Sequence, residues 1–243
     1  MSDIAARLFE AIDQTWPARR RVRAGPWWLR DGDGGGKRVS AASAVGTVAQ
    51  DDIADAERAM AEMGQEPLFM LRPEQRALDH RLAARGYVLV DPVTVYACRV
   101  ATLADIPIPP VTVFEIWEPL AIMTEIWEQG GIGPARLRVM ARAQGPKTGL
   151  FCRMDDRPAG VAFAARHGDT AMVHAVEVLP EQRRKGAAVW MMRAAAILAA
   201  RQDARRLAVL CTKTNLAANA LYRALGFAPV AQYHYRIKRK EPR

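Results

Sequence analysis

The sequence is poor in cysteine, with only Cys98, Cys152 and Cys211 among 243 residues. An odd number, widely spaced in apolar strand-like runs, argues against a disulfide framework and against a zinc site. Buried, reduced thiols are the expectation. Long apolar runs are also missing. Half the residues are hydrophobic, yet no stretch reaches the roughly eighteen consecutive apolar residues that a membrane span needs. The opening MSDIAARLFE has an early acid and no apolar signal core, so a cytoplasmic rather than a secreted protein is expected. The hydrophobic content is enough to bury one large core or two small ones.

What the chain does have is charge, unevenly placed. Residues 1–105 carry 14 Lys+Arg against 15 Asp+Glu, a net of −1, and residues 106–243 carry 21 against 11, a net of +10. The sum is the overall +9. A basic half suits an anionic partner: nucleic acid, a membrane surface or a phosphorylated cofactor.

Apolar residues at 4, 8, 9, 12 and 16 make a helical stripe, followed by a basic stretch at 19–23. Residues 26–29 and 37–45 suggest strands joined by a DGDGGG hairpin turn. A helix at 52–63, a buried strand at 67–71 and a helix at 73–85 follow, with Pro73 suited to a first turn and Gly86 to a cap. Residues 87–100 are strand-like but broken at Asp91-Pro92. Three prolines at 104–110 mark a linker, dividing the chain into halves 1–105 and 106–243. The second half predicts a strand at 111–117, helices at 119–129 and 134–143, and strands at 148–154, 160–166 and 171–179. After these come a helix at 186–201, a strand at 206–211, a helix at 216–225 capped by Gly226, and strand material at 227–238.

The halves echo each other. LAARGYVLVDPVTVYACRV aligns with LYRALGFAPVAQYHYRIKR at an offset of 140, and the strand at 68–71 lies over 208–211 at the same offset. The hairpins AGPWW…DGDGGG…VSAAS and AGVAF…HGD…VHAVE also correspond. Two copies of one α/β (α+β) fold are expected.

The most informative stretch is VEVLPEQRRKGAA at 176–188. A strand runs through a proline into a basic, glycine-containing turn and then a helix. Free N–H groups, a positive helix end and cationic side chains meet there, which suits a pyrophosphate. A solvated basic turn is the bland alternative. The corresponding first-half helix opens with Asp51, Asp52 and Asp55, which steady a bare helix start but would repel phosphate. Only the second half is equipped to bind.

Arg183-Arg184-Lys185-Gly186-Ala187-Ala188 resembles the (Q/R)xxGx(G/A) acetyl-CoA loop of the GCN5-related N-acetyltransferases (GNAT), and NLAANALYRALGF at 215–227 is similar to that family's second signature. The resemblance spans roughly residues 111–238. Ala188 stands where many members have glycine, which the pattern allows. It implies a GNAT-like mixed, mostly antiparallel sheet flanked by helices, in two tandem copies. The first, 1–105, would be degenerate, and the second, 106–243, catalytic.

The resemblance further implies acetyl-CoA as acyl donor and a small-molecule or peptide amine as acceptor, with no metal. Arg183 to Ala188 would hold the pyrophosphate, and main-chain groups of Val176 and Val178 the pantetheine. Tyr222 would protonate the departing thiolate, or else pack under Gly226-Phe227. Asn215 would cap its helix, with Asn219 one turn on as a candidate for the pantetheine arm. A base is also needed. His174 shares the face of Val178 if the strand is regular, whereas Glu177 does so only through a bulge. A partly buried histidine and a solvent-facing acid are the alternatives. The acceptor site would lie at 117–133, where Trp127, Glu125 and Glu128 either meet an amine or form part of a buried helix stripe. A coenzyme-sensing protein without catalysis is the runner-up. The basic runs 19–23 and 236–240 lack an aromatic platform, so no nucleic-acid partner is expected. A monomer or homodimer, with no membrane association, completes the expectation.

Overall fold

The computed structural model describes residues 3–238. The N-terminal stripe forms α1 (Asp3–Thr15), burying Leu8, Phe9, Ala11 and Ile12. The basic stretch that follows is an edge strand, β1 (Arg20–Ala24), paired antiparallel with β2 (Trp27–Asp31) across Gly25-Pro26. Arg21 and Arg23 sit 4.1 and 5.6 Å from the Trp28 ring centroid, so these cations serve the hairpin. Charge on an edge strand also discourages pairing with foreign sheets. DGDGGG is not the expected hairpin turn. It leads into one helical turn, α2 (Lys37–Ser40), and then a short buried strand, β3 (Ala42–Ala44).

Next come α3 (Asp52–Glu62), β4 (Leu68–Leu71) and α4 (Arg76–Ala84), the last starting three residues beyond Pro73. β5 (Tyr87–Arg99) runs through Asp91-Pro92 without the expected break. Asp91 takes a φ of 43°, and the step from Val90 to Val93 on β5 matches only Tyr235 to Tyr233 on its neighbour. The bulge absorbs the proline, whose missing N–H then costs no ladder bond. The proline-rich linker is pinned: Leu103 is buried and Ile108 packs on the same core.

The second half contains β6 (Val113–Ile116), α5 (Ala121–Gln129), α6 (Pro134–Arg142), β7 (Lys147–Met154), β8 (Arg157–His167) and β9 (Thr170–Val178). It ends with α7 (Ala187–Arg201), β10 (Arg206–Thr212), α8 (Leu216–Ala224) and β11 (Ala228–Lys238).

All these strands join in one sheet, ordered β1-β2-β3-β4-β11-β5-β10-β9-β8-β7-β6. It is mixed and mostly antiparallel, with helices on both faces; β3–β4 and β9–β10 are its parallel pairs. α4 and α8 begin and end 140 residues apart, at 76–84 and 216–224. The strands that follow them change places. β5 pairs with β10, β11 pairs with β4, and the two lie side by side at the centre. Leu8, Met70, Val95, Met172, Ala208 and Tyr233 consequently share one core cluster drawn from both halves.

Among the described residues no helix is long and apolar enough to cross a membrane. All three cysteines are free thiols. Burial pushes the Cys152 thiol up to about 11 and the Cys98 thiol up to about 12, so both stay protonated near neutral pH.

Candidate active site

β9 and β10 run parallel from Thr170 and Arg206 as far as Val173 and Val209, and then part. Beyond that point Leu210–Thr212 pair only with β5, and residues 174–178 only with β8. The parting begins at a bulge. Ala175 has a φ of 51°, and a step of three residues on β9, from His174 to Glu177, matches a step of two on β8, from Phe163 to Val161. One extra residue reverses the alternation, so His174 and Glu177 point to the same face of the sheet. The carbonyl of Ala175 is not wasted: it accepts a 2.8 Å hydrogen bond from Trp127 Nε1. Trp127 is fully buried, so it belongs to the helix stripe and braces the bulge from beneath.

Past β9, a short 3₁₀ turn (Pro180–Gln182) leads to the basic loop. Arg184 and Gly186 both take left-handed φ, 65° and 93°, which turns successive N–H groups toward one side. Gly186 accepts this conformation without strain. α7 then starts with no side-chain cap and no acid in its first turn. The backbone N–H groups of Lys185 to Ala188 have no hydrogen-bond partner among the described residues. Lys185 pairs with Asp155 at 2.9 Å on the neighbouring turn, and Arg183 Nε donates to Val178 O at 3.2 Å. At the equivalent start of α3, Asp52 and Asp55 occupy the first turn, and Asp52 accepts from the N–H of Ala49. One helix start is left open, and the other is neutralised by its own acids.

Asn215 caps α8, its Oδ1 accepting from Ala218 N at 3.0 Å. Asn219, a candidate for the pantetheine arm, is instead spent within the fold. Its Nδ2 donates to Thr212 O and Asn215 O at 2.8 and 2.7 Å, and its Oδ1 accepts from Tyr96 Oη at 2.8 Å. Those bonds tie α8 to the parted end of β10. Tyr222 is buried against Tyr96 and Phe227, with ring centroids 6.0 and 5.9 Å away. Burial, and then the nearby Cys211, raise its phenol well above the usual range, and the hydroxyl has no hydrogen-bond partner among the described residues. The phenol therefore keeps its proton.

His174 departs from the expectation of a free base. Its Nδ1 accepts from Arg38 Nη1 at 3.0 Å, because a guanidinium can only donate. Its Nε2 then carries the proton and donates at 2.9 Å to Thr15 Oγ1, whose own hydrogen goes to Ala11 O at 2.6 Å. The ring is buried beside Trp16 and Phe163. Burial first, and then Arg38, hold its pKa well below the ordinary value. Both ring nitrogens are occupied, so this imidazole positions Arg38 and is not free to take a proton. Glu177 is half-buried beside Gly130, and burial raises its pKa while Arg183 opposes the rise.

Where β9 and β10 part, a cavity of about 270 Å³ opens, touching Ala175 on one strand and Leu210–Thr212 on the other. Trp16, Lys37 and Arg38 line it from the first half, Ile132 and Arg136 from the α5–α6 region, and Tyr233 and Tyr235 from β11. Of the expected acceptor region 117–133 only Ile132 lines this cavity; Arg136 lies just beyond it, and Trp127 is buried elsewhere. Arg38 and Arg136 were not legible as site residues. The one available signal was a basic pair directly after DGDGGG.

An open basic helix start, a parted parallel strand pair and a bulge on the strand before the loop occur together in the second half. Residues 114–227 match the acetyltransferase (GNAT) family. The match covers β6 to the end of α8 and contains the whole basic loop. The uncharacterized N-acetyltransferase YobR of Bacillus subtilis is 27% identical over 240 residues, covering 93% of this chain and 95% of its own length. A solved GCN5-related N-acetyltransferase from Kribbella flavida superposes with a TM-score of 0.70 at 22% identity, over 99% of this chain and 98% of that one. A tandem GNAT protein from the clavulanic acid biosynthesis pathway superposes with a TM-score of 0.60 at 15% identity, covering 96% and 87%. At those identities the two structures show the GNAT-like fold and nothing about substrate.

Proposed function

We propose that this chain is an acetyl-CoA-dependent N-acetyltransferase acting by direct transfer to a primary amine. Residues 106–243 are the catalytic copy, and residues 1–105 are a copy that no longer binds coenzyme. The observation that carries the reading is the uncapped, acid-free start of α7 beside the parted strands β9 and β10. Backbone N–H groups from Lys185 to Ala188, with the side chains of Arg183, Arg184 and Lys185, suit the pyrophosphate, whereas the N–H of Arg183 is bonded to Pro180 O. The edge at Val176 and Val178, which no strand covers, suits the pantetheine amides once Arg183 Nε leaves Val178 O. The 140-residue correspondence of α4 and α8 and the exchange of β5 and β11 support two copies of one unit.

In the reaction the amine nitrogen bonds to the thioester carbonyl carbon and the C–S bond breaks. Glu177 takes the amine's proton, directly or through water, and burial raises its pKa above the ordinary carboxylate value. Tyr222 supplies a proton to the departing sulfur, for which a phenol that stays protonated is required. His174 contributes by holding Arg38.

Acetyl-CoA should raise the melting temperature of the protein. A thiol-release assay over an amine panel should then show turnover, with Tyr222→Phe slowing release more than it weakens coenzyme binding. A melting shift without thiol release from any amine would favour coenzyme sensing. Equal turnover by Tyr222→Phe would reduce Tyr222 to a packing residue.

A further inference from the structure

The cavity at the parted strands holds more positive charge than the fold compensates. Lys37 is paired with Asp91 at 2.8 Å. Arg38 and Arg136 have no carboxylate partner among the described residues. Arg136 makes one bond, from Nη1 to Gly131 O at 3.2 Å. Arg38 donates Nη1 to His174, while its Nε is buried without any partner. Two half-buried guanidinium groups with so few partners at one cavity are costly unless an anionic ligand joins them.

The free edge of Arg136 has a particular shape. With Nη1 on Gly131 O, Arg136 is left with the parallel Nε and Nη2 donors beside Gly36, a fork that matches the two oxygens of a carboxylate, while Arg38, its Nε buried, adds charge and its Nη2. The same fork is used twice elsewhere in this chain. Arg30 directs Nε and Nη2 at Asp13 at 3.0 and 2.8 Å, and Arg236 directs them at Asp79 at 2.7 and 3.1 Å. A plain cationic amine would be repelled by two unpaired arginines. An amine that also carries a carboxylate would be drawn in, with its nitrogen left to face the bulge at Ala175. The cavity volume, about 270 Å³, sits at the small end for ligand sites and suits an amino-acid-sized molecule.

We infer that the acceptor is a small amino acid whose carboxylate is bound by Arg38 and Arg136, one arginine from each half of the chain. The inference rests on the N-acetyltransferase reading. It gives the first half a role despite its closed helix start: it supplies half of the acceptor pocket, through α2.

The test is thiol release with free amino acids and with their carboxamides as matched pairs, alongside the melting shift with acetyl-CoA alone. The acids should exceed their amides by about tenfold or more in kcat/KM, and Arg136→Gln and Arg38→Gln should each erase most of that preference. Arg136→Gln keeps the fold intact, because the side chain has a single bond to lose. Both variants should keep the acetyl-CoA melting shift. Amides or simple amines used as well as acids would overturn the proposal, as would arginine variants that keep the preference. So would the absence of turnover and of added thermal stabilisation by every acid while the acetyl-CoA shift persists. Loss of the acetyl-CoA shift in the unmodified protein would instead overturn the underlying reading.

Discussion

His174 shows how one buried ring is committed by its neighbours. Arg38 fixes Nδ1 as an acceptor and Thr15 takes the Nε2 proton, so the neutral imidazole is the form the fold requires. In an unfolded chain a histidine titrates near 6.5, whereas in the folded state this one resists protonation. Below that pH the unfolded chain binds a proton that the folded chain refuses. The contribution is therefore complete above pH 6.5 and is lost as pH falls. Denaturant unfolding between about pH 7.5 and 5.5 should show stability falling by up to about 1.4 kcal/mol per unit on the acid side. His174→Gln keeps an acceptor for Arg38 and a donor for Thr15, so it should flatten that slope. The same slope in both proteins would contradict the assigned role. None of this was legible in the sequence. Spacing along a strand placed His174 near the site but could not reveal two partners 159 and 136 residues away.

At the scale of elements, the bulge in β9 is the device that opens the sheet, and it is held from both sides. Trp127 supplies the hydrogen bond to Ala175 O. Gly160 on β8 lies so close that a Cβ there would fall 2.5 Å from the carbonyl oxygen of Glu177. Gly160→Ala should therefore displace β9, costing about 1–3 kcal/mol of stability and weakening acetyl-CoA binding together, as melting curves with and without coenzyme will report. Trp127→Phe should cost about 1–3 kcal/mol by leaving a buried carbonyl unpaired. Unchanged coenzyme affinity in Gly160→Ala would show that the shape of β9 does not matter to the site.

Elements with a strong period, such as α1, α3 and α7, were legible within a residue or two, because local burial decides them. The basic loop was legible because its chemistry is continuous in sequence. DGDGGG misled because glycines fit a hairpin turn and an irregular loop equally well. The strand β1 was missed because its arginines mask an edge strand's weak alternation.

At the scale of the whole molecule, the halves are joined by exchange rather than by simple contact. β10 needs β5, and β4 needs β11. Sequence alignment suggested two copies, but strand partnership is a long-range property that no local pattern encodes. Residues 106–243 produced alone would leave β10 and β11 without β5, so this fragment should fail to form a stable soluble fold by circular dichroism and gel filtration. Co-expression with residues 1–105 should restore it. A folded fragment that binds acetyl-CoA unaided would contradict this view of the architecture.

The open start of α7, and not the acid-lined start of α3, is where the coenzyme is expected to bind. Calorimetric titration with acetyl-CoA measures it most directly. One molecule should bind per chain, with binding abolished by changing Arg184 and Lys185 to Glu and preserved in Asp51→Ala. Two molecules per chain, unchanged affinity in the charge-reversed loop, or no binding at millimolar coenzyme would contradict it.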